Sequence, residues 1–348
     1  MLKPSDKIVI LLHEGLKENS GKTGISVVRY SECEIVAIID YQSVGESFKQ
    51  LTGINRDIPI VSSVEESLKY APNVLLIGIA PSGGILPPEW LKEIKIAVKS
   101  GLSIVNGLHS KLGEDIEIKN LLKSSQWIWD VRQEPKELKI GSSAAKNLKC
   151  LRVLTVGTDM NVGKMSTSLE LHKICGKRGL KSKFLATGQG GIMISGDGVA
   201  LDAVRVDFAS GVIEQLVMKN GNDYDILHIE GQGSFLHPGS TATLPLIRGS
   251  QPTHLILVHR YGQTHIKNHP TVLIPPLTEV IKIYENVAYA GGAFNQIKVA
   301  GIALNTYHLS EEEAKKAIKE TEDMTGLKCT DSVRFGGDIL VDEITYSL

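Results

Sequence analysis

The stretch Gly157-Thr158-Asp159-Met160-Asn161-Val162-Gly163-Lys164-Met165-Ser166 constrains this chain more than any other. An apolar run, Val153 to Val156, leads into it, and a helix-forming run, Ser168 to Ile174, leads out. A glycine-rich turn between strand and helix points several backbone N–H groups at one place, and the helix N-terminus adds partial positive charge there. Glycines let the main chain wrap an anion, and a lysine at the helix start supplies a point charge for β and γ phosphates. The pattern predicts a phosphate loop built by Gly157, Thr158, Asp159, Asn161, Val162, Gly163, Lys164, Met165, Ser166 and Thr167. It departs from the usual G-x4-G-K-[ST] wording in two ways. Five residues separate Gly157 from Gly163, and Met165 stands where a hydroxyl ordinarily ligates Mg²⁺. Ser166 or Thr167 would have to substitute.

Around this loop the chain alternates strand-like and helix-like segments, which implies parallel βαβ units with right-handed crossovers. In the first third, Ile8 to Leu12, Glu34 to Asp40, Val74 to Ala80 and Leu102 to Asn106 read as strands. Thr23 to Tyr30, Val64 to Tyr70 and Glu89 to Ser100 read as the helices between them. Between Arg132 and Cys150 neither apolar period survives, and Pro, Gly, Ser and Lys dominate, which marks a boundary. The expected fold class is α/β: a Rossmann-like parallel sheet over residues 1–140, then a larger P-loop NTPase-like domain over 150–348. In the second domain, LRVLTVG, KSKFLAT, YDILHIEG, HLILVH and VAGIALN read as strands and TGQGG as a glycine-rich loop. Ser310 facing Glu313 reads as a capping box that opens a helix. A length of 348 residues suits two domains at roughly 100–200 residues each.

The charge balance removes some classes of partner. Lys+Arg 38 against Asp+Glu 39 leaves −1, which gives no global reason to bind nucleic acid or an anionic membrane. No apolar run approaches the roughly 18–20 residues of a membrane span, and the opening residues carry no cleavable-signal pattern. Cys33, Cys150, Cys175 and Cys329 lie far apart and form no C-x-x-C pair, which argues against a disulfide scaffold or a thiolate zinc site. A cytoplasmic protein acting on a small molecule, with no nucleic-acid or membrane partner, is expected, as a homo-oligomer.

Two resemblances carry the reading further. The G-T-D-x-x-V-G-K wording resembles dethiobiotin synthetase, and Glu230-Gly231-Gln232-Gly233-Ser234 after the strand Tyr224 to Ile229 is similar to that enzyme's E-G-A-G-G loop. The likeness implies that Glu230 lies near phosphates and metal, with Ser166 and Glu230 as Mg²⁺ ligands. Over nearly its full length the chain resembles the family called domain of unknown function 1611. Gly21 to Asp40, Gly157 to Leu171, TGQGG (Thr187 to Gly191) and HIEGQGSFLHPG (His228 to Gly239) carry that likeness. The G-K-M-[ST]-T wording is typical of that family. The likeness implies a two-domain P-loop protein, and some members have been assigned D-glutamate N-acetyltransferase activity.

Other constellations add candidates. Gly15 to Thr23 also reads G-x5-G-K-T, so Lys22 either contacts a substrate anion or sits at an exposed turn. Asp40 falls where a ribose-binding acid would sit, but no G-x-G-x-x-G precedes it. Pro81 to Gly84 and Asn106 to His109 follow strands at the edge where ligands bind, which makes His109 a substrate candidate alongside Gln189 and Gln232. His265 and His269 are four apart, a spacing that would chelate zinc on a helix, although Gly262 and Pro270 oppose one. His237 is the candidate general acid or base. No G-x-S-x-G elbow occurs.

Three functions follow. In the first, Lys164 and the loop amides hold the phosphates of acetyl-CoA, while Glu230 and His237 serve acetyl transfer to an amino-acid-like amine such as that of D-glutamate. In the second, ATP and Mg²⁺ activate a carboxylate or amine. The third is a nucleotide sensor without turnover.

Overall fold

The computed structural model describes residues 2–17, 19–79 and 86–346. It divides into two compact units, Met1–Gln133 with Gln189–Ala203, and Glu134–Gly188 with Val204–Leu348. The division falls at Gln133, within the Arg132 to Cys150 stretch marked by composition, and the glycine-rich segment from Gln189 belongs to the first unit.

The first unit is built on β1 (Lys7–Leu11), α1 (Lys22–Tyr30), β2 (Glu34–Ile39), α2 (Phe48–Thr52), β3 (Ile60–Val61), α3 (Val64–Ser67), β4 (Val74–Ile77), α4 (Pro88–Lys99), β5 (Ser103–Asn106), α5 (Ile116–Leu121) and β6 (Ile128–Asp130). Its strands form one parallel sheet in the order β3-β2-β1-β4-β5-β6. Residues of β4 (VLLI) are buried on both faces, so this strand reads as a continuous apolar run rather than an alternating one. This is the Rossmann-like sheet expected.

The second unit contains β7 (Leu151–Gly157), α6 (Lys164–Lys177) and β8 (Ser182–Leu185). The chain then gives α7 (Gln189–Ser195) to the first unit, where it packs on α1. Back in the second unit follow α8 (Val206–Asn220), β9 (Ile226–Ile229), α9 (Thr243–Ser250), β10 (His254–Arg260), the pair β11 (His265–Ile266) and β12 (His269–Leu273), α10 (Leu277–Tyr289), β13 (Lys298–Asn305), α11 (Glu311–Thr325), β14 (Cys329–Thr330) and α12 (Asp338–Thr345). Its main sheet is parallel in the order β14-β13-β10-β7-β9-β8. Leu171 and Cys175 of α6 and Leu340, Val341 and Ile344 of α12 pack with strand residues such as Val153 and Ile256 in one core. That core fixes α6, and with it the loop between β7 and α6. The capping box at Ser310 and Glu313 is present at the start of α11.

Two local expectations are corrected. TGQGG enters a helix at Gln189 rather than remaining a loop, because tertiary packing overrides the low helix propensity of two glycines. His265 and His269 lie on the two strands of an antiparallel hairpin that turns at Asn268 (φ 65°), so helical chelation does not arise. Among the described residues, no group of three or more His, Cys, Asp or Glu is placed to hold a metal ion, and no helix is long and apolar enough to cross a membrane. The four cysteines are buried and unpaired, and burial pushes the Cys175 thiol up to about 11 and that of Cys329 to about 12. Thiols so far from ionising are poor nucleophiles.

Candidate functional site

Every residue of β7 is buried, and it runs between β10 and β9 before releasing the loop into α6. Asn161 (φ 55°) and Gly163 (φ 120°) bend the loop back on itself. A φ of 120° strains any L side chain, which is why glycine stands at the N-cap. No side chain caps α6, so its first amides keep their donors and the helix start keeps its positive end.

The loop's carbonyls are turned outward by donors around it. Tyr284 Oη donates to the Gly157 carbonyl at 2.7 Å, Arg260 Nη2 to that of Asn161 at 2.9 Å, and Asn305 Nδ2 to that of Val162 at 2.8 Å. The Lys164 side chain is buried and folds over the loop, its Nζ donating to the Asp159 carbonyl at 2.7 Å. The Thr158 and Met160 N–H groups are taken by the Val258 carbonyl and Asp159 Oδ1, while those of Val162 and Gly163, across the peptide planes from the engaged Asn161 and Val162 carbonyls, are left to the arrangement that binds anions. The Asp159 carboxylate takes the Met160 N–H at 2.6 Å, and its Oδ2 takes Gln263 Nε2 at 2.6 Å and the Lys267 N–H at 2.8 Å. Asp159 thereby ties the β11–β12 hairpin to the loop. Thr158 Oγ1 and His259 Nδ1 share a hydrogen bond of 2.9 Å.

Glu230 follows β9 at the same edge of the sheet. Its Oε2 accepts from the N–H groups of Thr187 (2.9 Å) and Gly188 (3.1 Å), and Gln232 Nε2 donates to Oε1 at 3.2 Å. Burial pushes the Glu230 carboxyl up to about 7, against those N–H groups and the Lys164 charge, which favour ionisation. Burial also pulls Lys164 down to about 8, against the attraction of Asp159 and Glu230. Desolvation outweighs mutual attraction in both partners. His237 is half-buried in the loop beyond. Its Nδ1 accepts the Gly239 N–H at 3.1 Å, so the neutral ring carries its proton on Nε2, and its ring lies edge-to-face with that of His269, the centroids 5.0 Å apart. Met165 and Ser166 are half-buried in the first turn of α6. Thr167 is buried, and its hydroxyl accepts from Ser332 Oγ at 3.4 Å.

The structure thus brings together the loop, Lys164, Glu230 and Gln232. Lys22, His109 and Gln189 belong to the first unit: Lys22 opens α1, Gln189 opens α7, and His109 follows β5. Asp40 is committed locally, its carboxylate accepting from the N–H groups of Glu14 and Gln42 and from Ser43 Oγ, so it is not poised for a ribose. The Pro81 to Gly84 loop lies outside the described residues. Tyr284, Arg260, Gln263 and Asn305 escaped the sequence reading. Only Asn305, closing the apolar run VAGIALN, announced a place at the sheet's ligand-binding edge.

A parallel sheet that delivers an uncapped, lysine-headed helix from a glycine-bent loop, in a chain that also carries a Rossmann-like sheet, defines an α/β protein of the P-loop class. Two family models match: the domain of unknown function (DUF1611_C) P-loop domain over residues 139–341, and the domain of unknown function (DUF1611_N) Rossmann-like domain over residues 41–134. The chain belongs to the DUF1611 family. A crystal structure of a DUF1611 family protein from Anabaena variabilis is 60% identical, with a TM-score of 0.97 over 99% of this chain and 100% of that one. A D-glutamate N-acetyltransferase of Tritonibacter scottomollicae is 39% identical over 81% of this chain and 84% of its own length. Another so named, from a Pseudoalteromonas species, is 36% identical over 83% and 85%.

Proposed function

We propose that this chain is an N-acetyltransferase that takes its acetyl group from acetyl-CoA and acts on a D-amino acid such as D-glutamate. The observation that carries the reading is the Lys164–Glu230 pair under the phosphate loop, both groups drawn by burial toward neutrality. The naming of two relatives aligned over four-fifths of the chain supports it.

The donor set fits a phosphorylated ligand, since uncapped amides and a lysine favour phosphate oxygens. CoA brings those phosphates and an activated acetyl thioester. The chain's own residues have three tasks. Lys164 leaves the Asp159 carbonyl for a phosphate oxygen. Glu230, near neutrality, takes the proton the substrate amine must lose, as a general base does best when its pKa lies near the working pH. His237, with Nε2 available, hands a proton to the departing thiolate. Met165 in place of a hydroxyl, and Glu230 oxygens already accepting three hydrogen bonds, favour this over Mg²⁺-dependent ATP turnover through Ser166 and Glu230.

The test is to incubate the full chain with acetyl-CoA, or with ATP and Mg²⁺, and a panel of D- and L-amino acids. Free thiol and N-acetylated product, only with acetyl-CoA plus a D-amino acid, is expected. ADP formation, or no turnover at all, would overturn the reading. Lys164→Ala should weaken CoA binding by about 10–100-fold, the worth of a charge-assisted hydrogen bond.

A further inference from the structure

We propose that Arg132 and His109, in the first unit, form a binding site for the carboxylate of a small amino-acid-sized ligand, and that Asp202 occupies it as an internal stand-in. Arg132 follows β6 and His109 follows β5, so both lie at the carboxyl ends of neighbouring parallel strands, the edge of an open α/β sheet where ligands bind. The Arg132 side chain is only 11% exposed. Its Nε donates to the Gly107 carbonyl at 2.6 Å and its Nη1 to His109 Nε2 at 2.7 Å. An arginine can only donate, so Nε2 is the acceptor and the His109 ring proton sits on Nδ1. These two bonds fix the plane of the fork without help from any carboxylate.

The loop beneath is equally set. Asp130 accepts from Asn106 Nδ2 (2.7 Å) and from the N–H groups of Leu112 (3.1 Å) and Gly113 (2.8 Å), while Asn106 Oδ1 takes the Leu108 N–H at 3.0 Å. The result is a preorganised, largely hidden guanidinium, the geometry that pairs a planar carboxylate. In this structure Nη1 donates to the Asp202 carboxylate, which arrives on a segment 70 residues further along and is itself 45% exposed. A carboxylate reaching a fixed guanidinium from the solvent side is cheap to displace, because a half-exposed ion pair contributes little.

The assignment goes beyond the acetyltransferase reading, and it rests on that reading only for the choice of D-glutamate as probe. Titrate the full chain by calorimetry with D-glutamate, glutarate and inorganic phosphate, for the wild type, Asp202→Asn, Arg132→Gln and Arg132→Lys. Removing the stand-in should tighten D-glutamate and glutarate binding by about 1.4- to 5-fold, the weight of an exposed pair. Arg132→Gln should lose at least about tenfold, with Arg132→Lys between it and the wild type. CoA binding by the same variants reports whether they are folded. An Asp202→Asn chain that binds carboxylates no more tightly would overturn the proposal, as would phosphate binding as tightly as glutarate. Carboxylate binding as expected without acetyl transfer would sink the acetyltransferase reading and leave this site standing.

Discussion

Lys164 and Glu230 hold opposite formal charges in one buried space, and each is pulled toward its neutral form, to about 8 and about 7. A phosphate beside Lys164 reverses its balance: the ammonium gains an anion to replace lost water, so its pKa rises. The same negative charge opposes ionisation of Glu230 and raises its carboxyl further. Both changes have one sign, so binding takes up protons near and above pH 7, and affinity falls as pH climbs past about 8. Calorimetry of CoA binding at pH 8, in buffers of different ionisation enthalpy, should show uptake of a sizeable fraction of one proton. Lys164→Ala should remove most of it. Proton release, or none, would mean that the lysine does not meet the phosphates.

At the scale of elements, the segment 139–144 is a strap across α8. A Cβ on Gly211 would lie 1.6 Å from the Lys139 carbonyl oxygen. One turn on, the Glu214 carboxylate accepts the N–H groups of Ser142 (3.1 Å) and Ala144 (2.9 Å) and the Ser142 hydroxyl (2.7 Å). Gly211→Ala should therefore destabilise, even though alanine is the better helix former by about 1 kcal/mol. Forcing backbone apart costs about 1–3 kcal/mol, so thermal unfolding should begin a few degrees lower. A higher melting temperature would show the strap free to lift. This element also marks the limit of what was legible. The phosphate loop could be read because strand, glycines, lysine and helix are contiguous. The strap could not, because 139–144 is polar and aperiodic, and its partners lie about 72 residues away in a helix. In HRYGQTHIKNHP a helical spacing of histidines competed with a turn at Lys267-Asn268, and the turn won because Asn268 tolerates positive φ. Glu230 was legible as a strand-end acid, but the peptides of Thr187 and Gly188 that hold it were not.

For the molecule as a whole, stability in acid turns on a histidine outside the candidate site. His228 lies in β9, wholly buried between Val153 and Phe184, and neither ring nitrogen has a hydrogen-bond partner. Burial, with the nearby His172, pulls it down to about 3. The unfolded chain binds a proton there below about 6.5 and the folded chain does not. Stability is therefore lost as pH falls from 6.5 toward 3, by about 1.4 kcal/mol per pH unit at most. His259, pulled down to about 4, acts with the same sign over a narrower range. Glu230 has the opposite sign: its raised pKa adds stability as pH falls from about 7 to 4.5, offsetting one histidine there and nothing below. The loss should steepen between about pH 4.5 and 4, where both histidines act without that offset, and fall back to the slope of His228 alone below about 4. His228→Leu removes the main contribution and replaces an unpartnered ring with an apolar side chain, so it should resist acid better and unfold no more easily at pH 7. The three tryptophans, Trp90, Trp127 and Trp129, all lie in the first unit, so their fluorescence does not follow this transition directly. Hydrogen exchange of β7 and β9 amides between pH 3 and 7 does. A variant whose strands open at the same pH as the wild type would show that His228 is charged, or partnered, in the native fold.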